Sequence, residues 1–109
     1  MALIKSHTYS NGIAGEYIAL RQFRIDDLTH EASAIFSLYS SKQAAVLAPE
    51  TPVVYTFAKL RLYAGDYETY LGTGAAERDP RKSLYLAAKH IDSISDKGPS
   101  ALRDAADDI

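Results

Sequence analysis

Three histidines, His7, His30 and His90, have the widest chemical reach in this chain, since an imidazole can ligate a metal or move a proton near neutral pH. They fall on three separate predicted elements, with no His-x-His or His-x-x-x-His spacing and no cysteine to complete a ligand set. That pattern predicts surface or hydrogen-bonded imidazoles and no metal site. Asp26-Asp27 is a carboxylate pair of the kind used in acid–base work. Adjacent residues in a strand or turn point apart, however, and a turn favours Asp for its own hydrogen bonding. Gly72-Thr73-Gly74 opens like a phosphate-cradling loop, but the third glycine of the dinucleotide pattern would fall on Glu77. The following helix also begins too late to aim its N-terminus at a phosphate. The serines have no Gly-x-Ser-x-Gly frame around them. The expectation is a chain with no catalytic, cofactor or metal residues, and so not an enzyme.

Tyrosine is over-used, with 8 in 109 residues and no Trp. Tyr55 and Tyr63 share one side of the run Val53–Tyr63 with Lys59 and Arg61. Tyr and Arg are enriched at protein interfaces because they bury area at low entropic cost and keep a polar handle. The competing reading is that such tyrosines cap a small core at its rim. Tyr55, Lys59, Arg61 and Tyr63 are accordingly the candidate interface.

Such a surface needs a sheet beneath it, and the periodicity supplies one. Gly15–Asp27 reads as the middle strand of an antiparallel meander, with Leu3–Ser10 before it and Glu31–Ser41 after it. Asn11-Gly12 supplies a tight hairpin turn, and Asp26-Asp27 with Thr29-His30 a second reversal. Along the middle strand Tyr17, Ala19, Arg21, Phe23 and Ile25 alternate with Ile18, Leu20, Gln22 and Arg24, so both faces carry apolar groups. Lys42–Leu47 reads as a helical turn that stops before Pro49. In the fourth strand Val54, Thr56, Ala58, Leu60 and Leu62 form the core face. Ala64–Leu71 fits either a turn and short strand or a short helix. Asp79 as N-cap and Pro80 at the first position open the main helix. Its apolar stripe runs Leu84, Ala87, Ala88, Ile91 and Ile94, with Gly98 and Pro99 as the stop. The fold class is α+β: a small antiparallel sheet, made of an N-terminal three-strand meander plus a fourth strand, with one C-terminal helix and an acidic tail. Residues 1–98 form one domain and 99–109 an acidic extension. Residues 92–109 carry five acidic and two basic groups, against nine and ten in residues 1–91. With few large apolar groups, the extension is expected to be mobile alone, or docked on a basic patch of a neighbour.

Composition narrows the partners. Hydrophobic residues make up 47% and charged ones 24%, an ordinary globular balance. At 109 residues one modest core fits. A net charge of −2 argues against a nucleic-acid partner held by phosphate neutralisation. The longest apolar run, Ala44–Pro49, is far short of a membrane span. The opening has no apolar segment behind Lys5, which predicts no secretory signal and synthesis in a cytoplasm.

The opening, MALIKSHTYSNGIAGEYIALRQFRID, resembles the start of small structural proteins encoded in the tail-module genes of tailed bacteriophages. The Met-Ala-Leu-Ile-Lys start, the Asn-Gly hairpin and the strand beyond it carry the likeness. The ending, KSLYLAAKHIDSISDKGPSALRDAADDI, is similar to the helix and acidic tail that close some of them. The resemblance implies a virion protein at the tail tip or baseplate, made in the host cytoplasm. It also implies work in many copies as a ring or homo-oligomer beside other virion structural proteins, in places where fibres attach. It carries over no functional residues. The alternative class is a soluble small-ligand-binding or regulatory domain.

Overall fold

Strand pairing begins at the Asn-Gly turn. Gly12 takes φ 89°, the left-handed region open to glycine, while the Asn11 side chain accepts from the Ile13 N–H at 3.1 Å. The computed structural model describes residues 2–108. The hairpin joins β1 (Ala2–Thr8) to β2 (Ala14–Asp26); β3 (Glu31–Tyr39), α1 (Lys42–Leu47), β4 (Val54–Tyr63), α2 (Gly65–Leu71), α3 (Pro80–Ala88) and β5 (Ala106–Asp108) follow. The protein is α+β, with one five-stranded antiparallel sheet in the order β4-β3-β2-β1-β5. The meander and the fourth strand are as expected. A fifth strand and two further helices are added to them, so the expectation of four strands and a single C-terminal helix is corrected.

The two faces of the sheet have different coverings. On one, α2 and α3 bury Tyr67, Leu84 and Tyr85 with Leu3, Ile18, Phe36, Leu60 and Leu62. On the other, α1 seats Ala45 against Ala2, Tyr17 and Tyr39 and leaves the rest open. α1 is held by Ser41, whose side chain accepts from the Ala44 N–H.

Two irregularities decide which residues face which way. A bulge between Leu20 and Gln22 reverses the alternation along β2. Arg21 therefore stays on the open face with Tyr17, while Ile25 packs into the core and Phe23 lies under the Arg81 guanidinium of α3. The grouping of Arg21 with Phe23 and Ile25 is corrected by this one extra residue. In β4 the pairing slips between Phe36↔Ala58 and Leu38↔Val54. Ala58, Leu60 and Leu62 keep the core face, but Phe57 is buried with them while Thr56 is exposed. Phe57 meets His7 of β1 with ring centroids 4.6 Å apart. Two strands separate β1 from β4 in the sheet, so the sheet curls strongly here.

α3 starts as expected: Asp79 accepts from the Arg81 N–H at 2.9 Å, and Pro80 follows. It stops earlier than its stripe predicts. Leu84, Ala87 and Ala88 are buried and Ile91 packs against the core, but Ile94 is 68% exposed and lies outside the helix. Two backbone hydrogen bonds of 2.9 Å tie Ile94 to Lys59 at the edge of β4, and that pairing replaces further helix. Gly98, at φ 91°, turns the chain after Ser95 and does not cap α3.

The acidic segment is docked within its own chain. Ala101, Leu102 and Ala105 enter the core, and β5 pairs with β1 through Ala2↔Asp108, Leu3↔Asp107 and Ile4↔Ala106. Three carboxylates of residues 92–108 have local partners: Lys89 with Asp107 at 2.9 Å, Lys42 with Asp108 at 3.1 Å, and Arg103 with Asp92. Lys5 Nζ donates to the carbonyls of Ser100 and Arg103, the latter at 2.8 Å. One leucine and two alanines suffice because they fall on the side facing the sheet.

Candidate functional site

The four candidate interface residues lie on the open face of the sheet. Tyr55 is 49% and Tyr63 59% exposed, and Lys59 and Arg61 are exposed between them. Cross-strand register fixes the neighbours, because residues opposite one another share a face. One row reads Gln22–Ile35–Lys59, the next Arg24–Ser33–Arg61, and the last Asp26–Glu31–Tyr63. Arg24, Ser33 and Arg61 line a cavity of about 310 Å³ with Asp26, Thr29, Glu31 and Ala32. Asp26 is committed to the turn, accepting from the N–H groups of Leu28 and Thr29, and those bonds hold its carboxyl below the usual range. Among the described residues, Arg24, Lys59 and Arg61 form no ion pair.

Arg21 organises the covered end of this face, and its central position goes unrecognised in the sequence. Its Nε donates to Ser37 Oγ at 2.7 Å, and its Nη2 to Tyr39 Oη at 2.6 Å and to the Pro49 carbonyl at 2.7 Å. The guanidinium also lies 4.3 Å from the centre of the Tyr55 ring, a cation–π contact. Ser37 Oγ donates to the Tyr55 carbonyl at 2.5 Å. One cation therefore joins β2, β3, the start of β4 and the loop after α1. Beside it α1 presents Val46 and Leu47, 71% and 74% exposed.

A second site lies on the helix side, at the β2–β3 turn. Asp27, His30, Tyr67, Glu68, Glu77 and Arg78 line a cavity of about 650 Å³, with Tyr70 and Gly72. Tyr67 Oη donates to Asp27 Oδ1 at 2.5 Å. That bond, then burial, pushes the phenol up to about 12. The His30 ring stacks on Tyr67 at 5.4 Å with 6° between planes, and its Nδ1 lies 3.0 Å from Glu68 Oε1. His30 stands at φ 56° and Ala64, before α2, at φ 52° and ψ −125°; both are conformations that side chains disfavour. Asp27 and His30, read separately as turn and surface residues, thus converge with residues some 40 positions away. A phenol that keeps its proton to about pH 12 is not a poised acid or base at neutral pH. The cleft is instead an acidic, aromatic-lined recess. Gly72 belongs to its wall, and α3 begins eight residues later, too far to make a phosphate loop with it. The other histidines lie elsewhere: His7 against Phe57, and His90 exposed beyond α3. Among the described residues no group of three or more His, Asp or Glu is placed to hold a metal ion.

The fold and these surfaces define a small α+β protein with a five-stranded antiparallel sheet, covered by helices on one face and largely bare on the other. Comparison with protein-family models, with curated proteins and with solved structures finds no match.

Proposed function

We propose that this chain is a non-enzymatic structural subunit of a tailed-phage virion, present in several copies at the tail tip or baseplate, where fibres attach. The observation that carries the contact role is the bare sheet face, where Tyr55 and Tyr63 stand exposed among unpaired Arg24, Lys59 and Arg61. Val46 and Leu47 extend it with apolar groups that a lone monomer gains nothing by exposing. The resemblance of both ends of the chain to tail-module proteins supplies the setting. A particle decides the matter. Mass spectrometry of washed virions should detect this chain in several copies, and K59E/R61E should block its incorporation while the monomer stays folded. Absence from particles, together with turnover of a substrate, overturns the proposal. The second reading, a soluble small-ligand-binding or regulatory domain, is favoured by the cleft alone, whose volume of about 650 Å³ is that of a small-molecule site.

A further inference from the structure

We propose that copies of this chain associate head to tail, the bare sheet face of one docking over the acidic cleft of the next. The inference rests on the multi-copy part of the reading above and names the partner of the sheet face as a second copy of this chain. It starts from charge. Arg24, Lys59 and Arg61 occupy adjacent rows of β2 and β4, and none forms an ion pair among the described residues, Arg24 acting on the Asp26 carboxyl only at longer range. Asp26 and Glu31 are the two carboxylates on the neighbouring row, against three cations, so the face keeps a net positive charge. The C-terminal carboxylates offer no complement, since Asp92, Asp107 and Asp108 are already paired with Arg103, Lys89 and Lys42. Asp96 and Asp104 remain as scattered single charges.

The complementary surface lies on the far side of the same end of the sheet. Residues 64–79 carry Asp66, Glu68, Glu77 and Asp79 against Arg78 alone; Glu68 and Glu77 line the cleft with Asp27, and Asp66 and Asp79 lie close to them in sequence. Glu68 engages His30, Asp27 a phenol, and Glu77 and Asp79 backbone N–H groups, none of which is a fixed cation, so their charge remains. The recess has in its wall the half-exposed His30 ring, stacked over the buried Tyr67, beside the carboxylates of Asp27 and Glu68, suited to a guanidinium from a facing molecule.

Symmetry then follows. Two sheet faces meeting about a twofold axis through the Arg24–Ser33–Arg61 row would oppose those arginines to their own copies, a like-charge contact that electrostatics disfavours. A basic face against an acidic cleft is heterologous, and repeated contacts of that kind close into a ring or run on as a filament. The molecule, 42 × 26 × 21 Å, would be a block with opposite charge on its two sides.

Charge swapping tests this with the intact chain. By sedimentation velocity at tens of micromolar in low salt, the wild type should form species larger than a dimer. These should dissociate at about 1 M salt, where the Debye length falls to about 3 Å. R24E/R61E alone and D66K/E68K alone should each associate at least about tenfold more weakly, with circular dichroism reporting a native fold. An equimolar mixture of the two should recover species larger than a dimer, since each reversed surface then faces its complement. If D66K/E68K does not fold, D66N/E68Q should still show the loss. A wild type that stays monomeric at every salt, variants that associate like wild type, or a mixture that stops at a dimer would each overturn the inference. A monomeric wild type found in washed virions would sink it while leaving the structural role standing; a head-to-tail oligomer absent from virions would do the reverse.

Discussion

Leu102→Ala is the sharpest probe of how this chain holds together. Leu102 is fully buried although it lies in the acidic, alanine-rich last ten residues, among Ala101 and Ala105 in the main core. Truncating a leucine in such a site removes its transfer energy and leaves a cavity, for a loss of about 2–5 kcal/mol. The segment is anchored on both sides, by Lys5 bonding to Ser100 and Arg103 and by β5 pairing with β1, so collapse into the cavity is restricted. We therefore expect about 3 kcal/mol. For a domain of this size that corresponds to a fall in melting temperature of roughly 12–24 °C. Urea titration followed by far-UV circular dichroism gives the free energy directly, and an unchanged m-value would show that the whole domain still unfolds as one unit. Asp104→Asn, at an exposed neighbour whose φ of 58° Asn also tolerates, serves as the control for a mere change in the segment. If Leu102→Ala melts within a degree or two of wild type, the segment is not part of the core and the account of β5 fails with it.

Other perturbations follow from single observations. The Tyr85 hydroxyl accepts from the Leu20 N–H at 2.6 Å, beside the β2 bulge; Tyr85→Phe strands that N–H and should cost about 1–3 kcal/mol in urea melts. Ala64→Gly should instead stabilise the protein by about 1 kcal/mol, raising the melting temperature, because φ 52° with ψ −125° is a glycine conformation. His7 is held below the ordinary imidazole pKa, first by burial and then by the charge of Lys5. As pH falls below about 6.5 the unfolded chain takes up the proton first, so stability present above that pH is lost down through the folded pKa. Urea midpoints between pH 8 and pH 5 should show this slope, and His7→Gln should flatten it.

What the sequence conveys and what it hides divide along a physical line. Features set within a few residues are legible: the Asn11-Gly12 turn, the Asp79-Pro80 helix start, the strand at Glu31–Tyr39 and the buried row Ala58, Leu60, Leu62. Features set by pairing with a distant strand are not. The bulge that turns Phe23 and Ile25 to the helix side of the sheet is a property of the β2–β3 register, and simple alternation carries straight through it. The same holds for Phe57, whose burial follows from the slip against β3. The stripe through Ile94 has sound helical spacing, but the free edge of β4 at Lys59 competes for that residue and wins. The cleft is hidden for a related reason: Asp27 and His30 meet Tyr67 and Glu68 only once α2 is laid beside the β2–β3 turn. A signal was present in the Gly65-Asp66 start of α2, but nothing local tied it to Asp27.

The bulge at Leu20/Gln22 also separates folding from contact. Because it reverses β2 partway along, the helix side takes Leu20, Phe23 and Ile25, and the open side keeps Arg21 and Arg24. Arg24, Lys59 and Arg61 are exposed and support no other residue by an ion pair, so replacing them should alter stability by no more than about 0.5 kcal/mol. Arg21 is different. It donates to Ser37, Tyr39 and Pro49 and lies on Tyr55, so removing it leaves partly buried acceptors unmet and frees an aromatic ring of the contact surface. Substitutions at Arg24, Lys59 and Arg61 can therefore report on assembly alone. A substitution at Arg21 acts on both folding and assembly, and a loss of particles from Arg21→Ala would not by itself identify a contact residue.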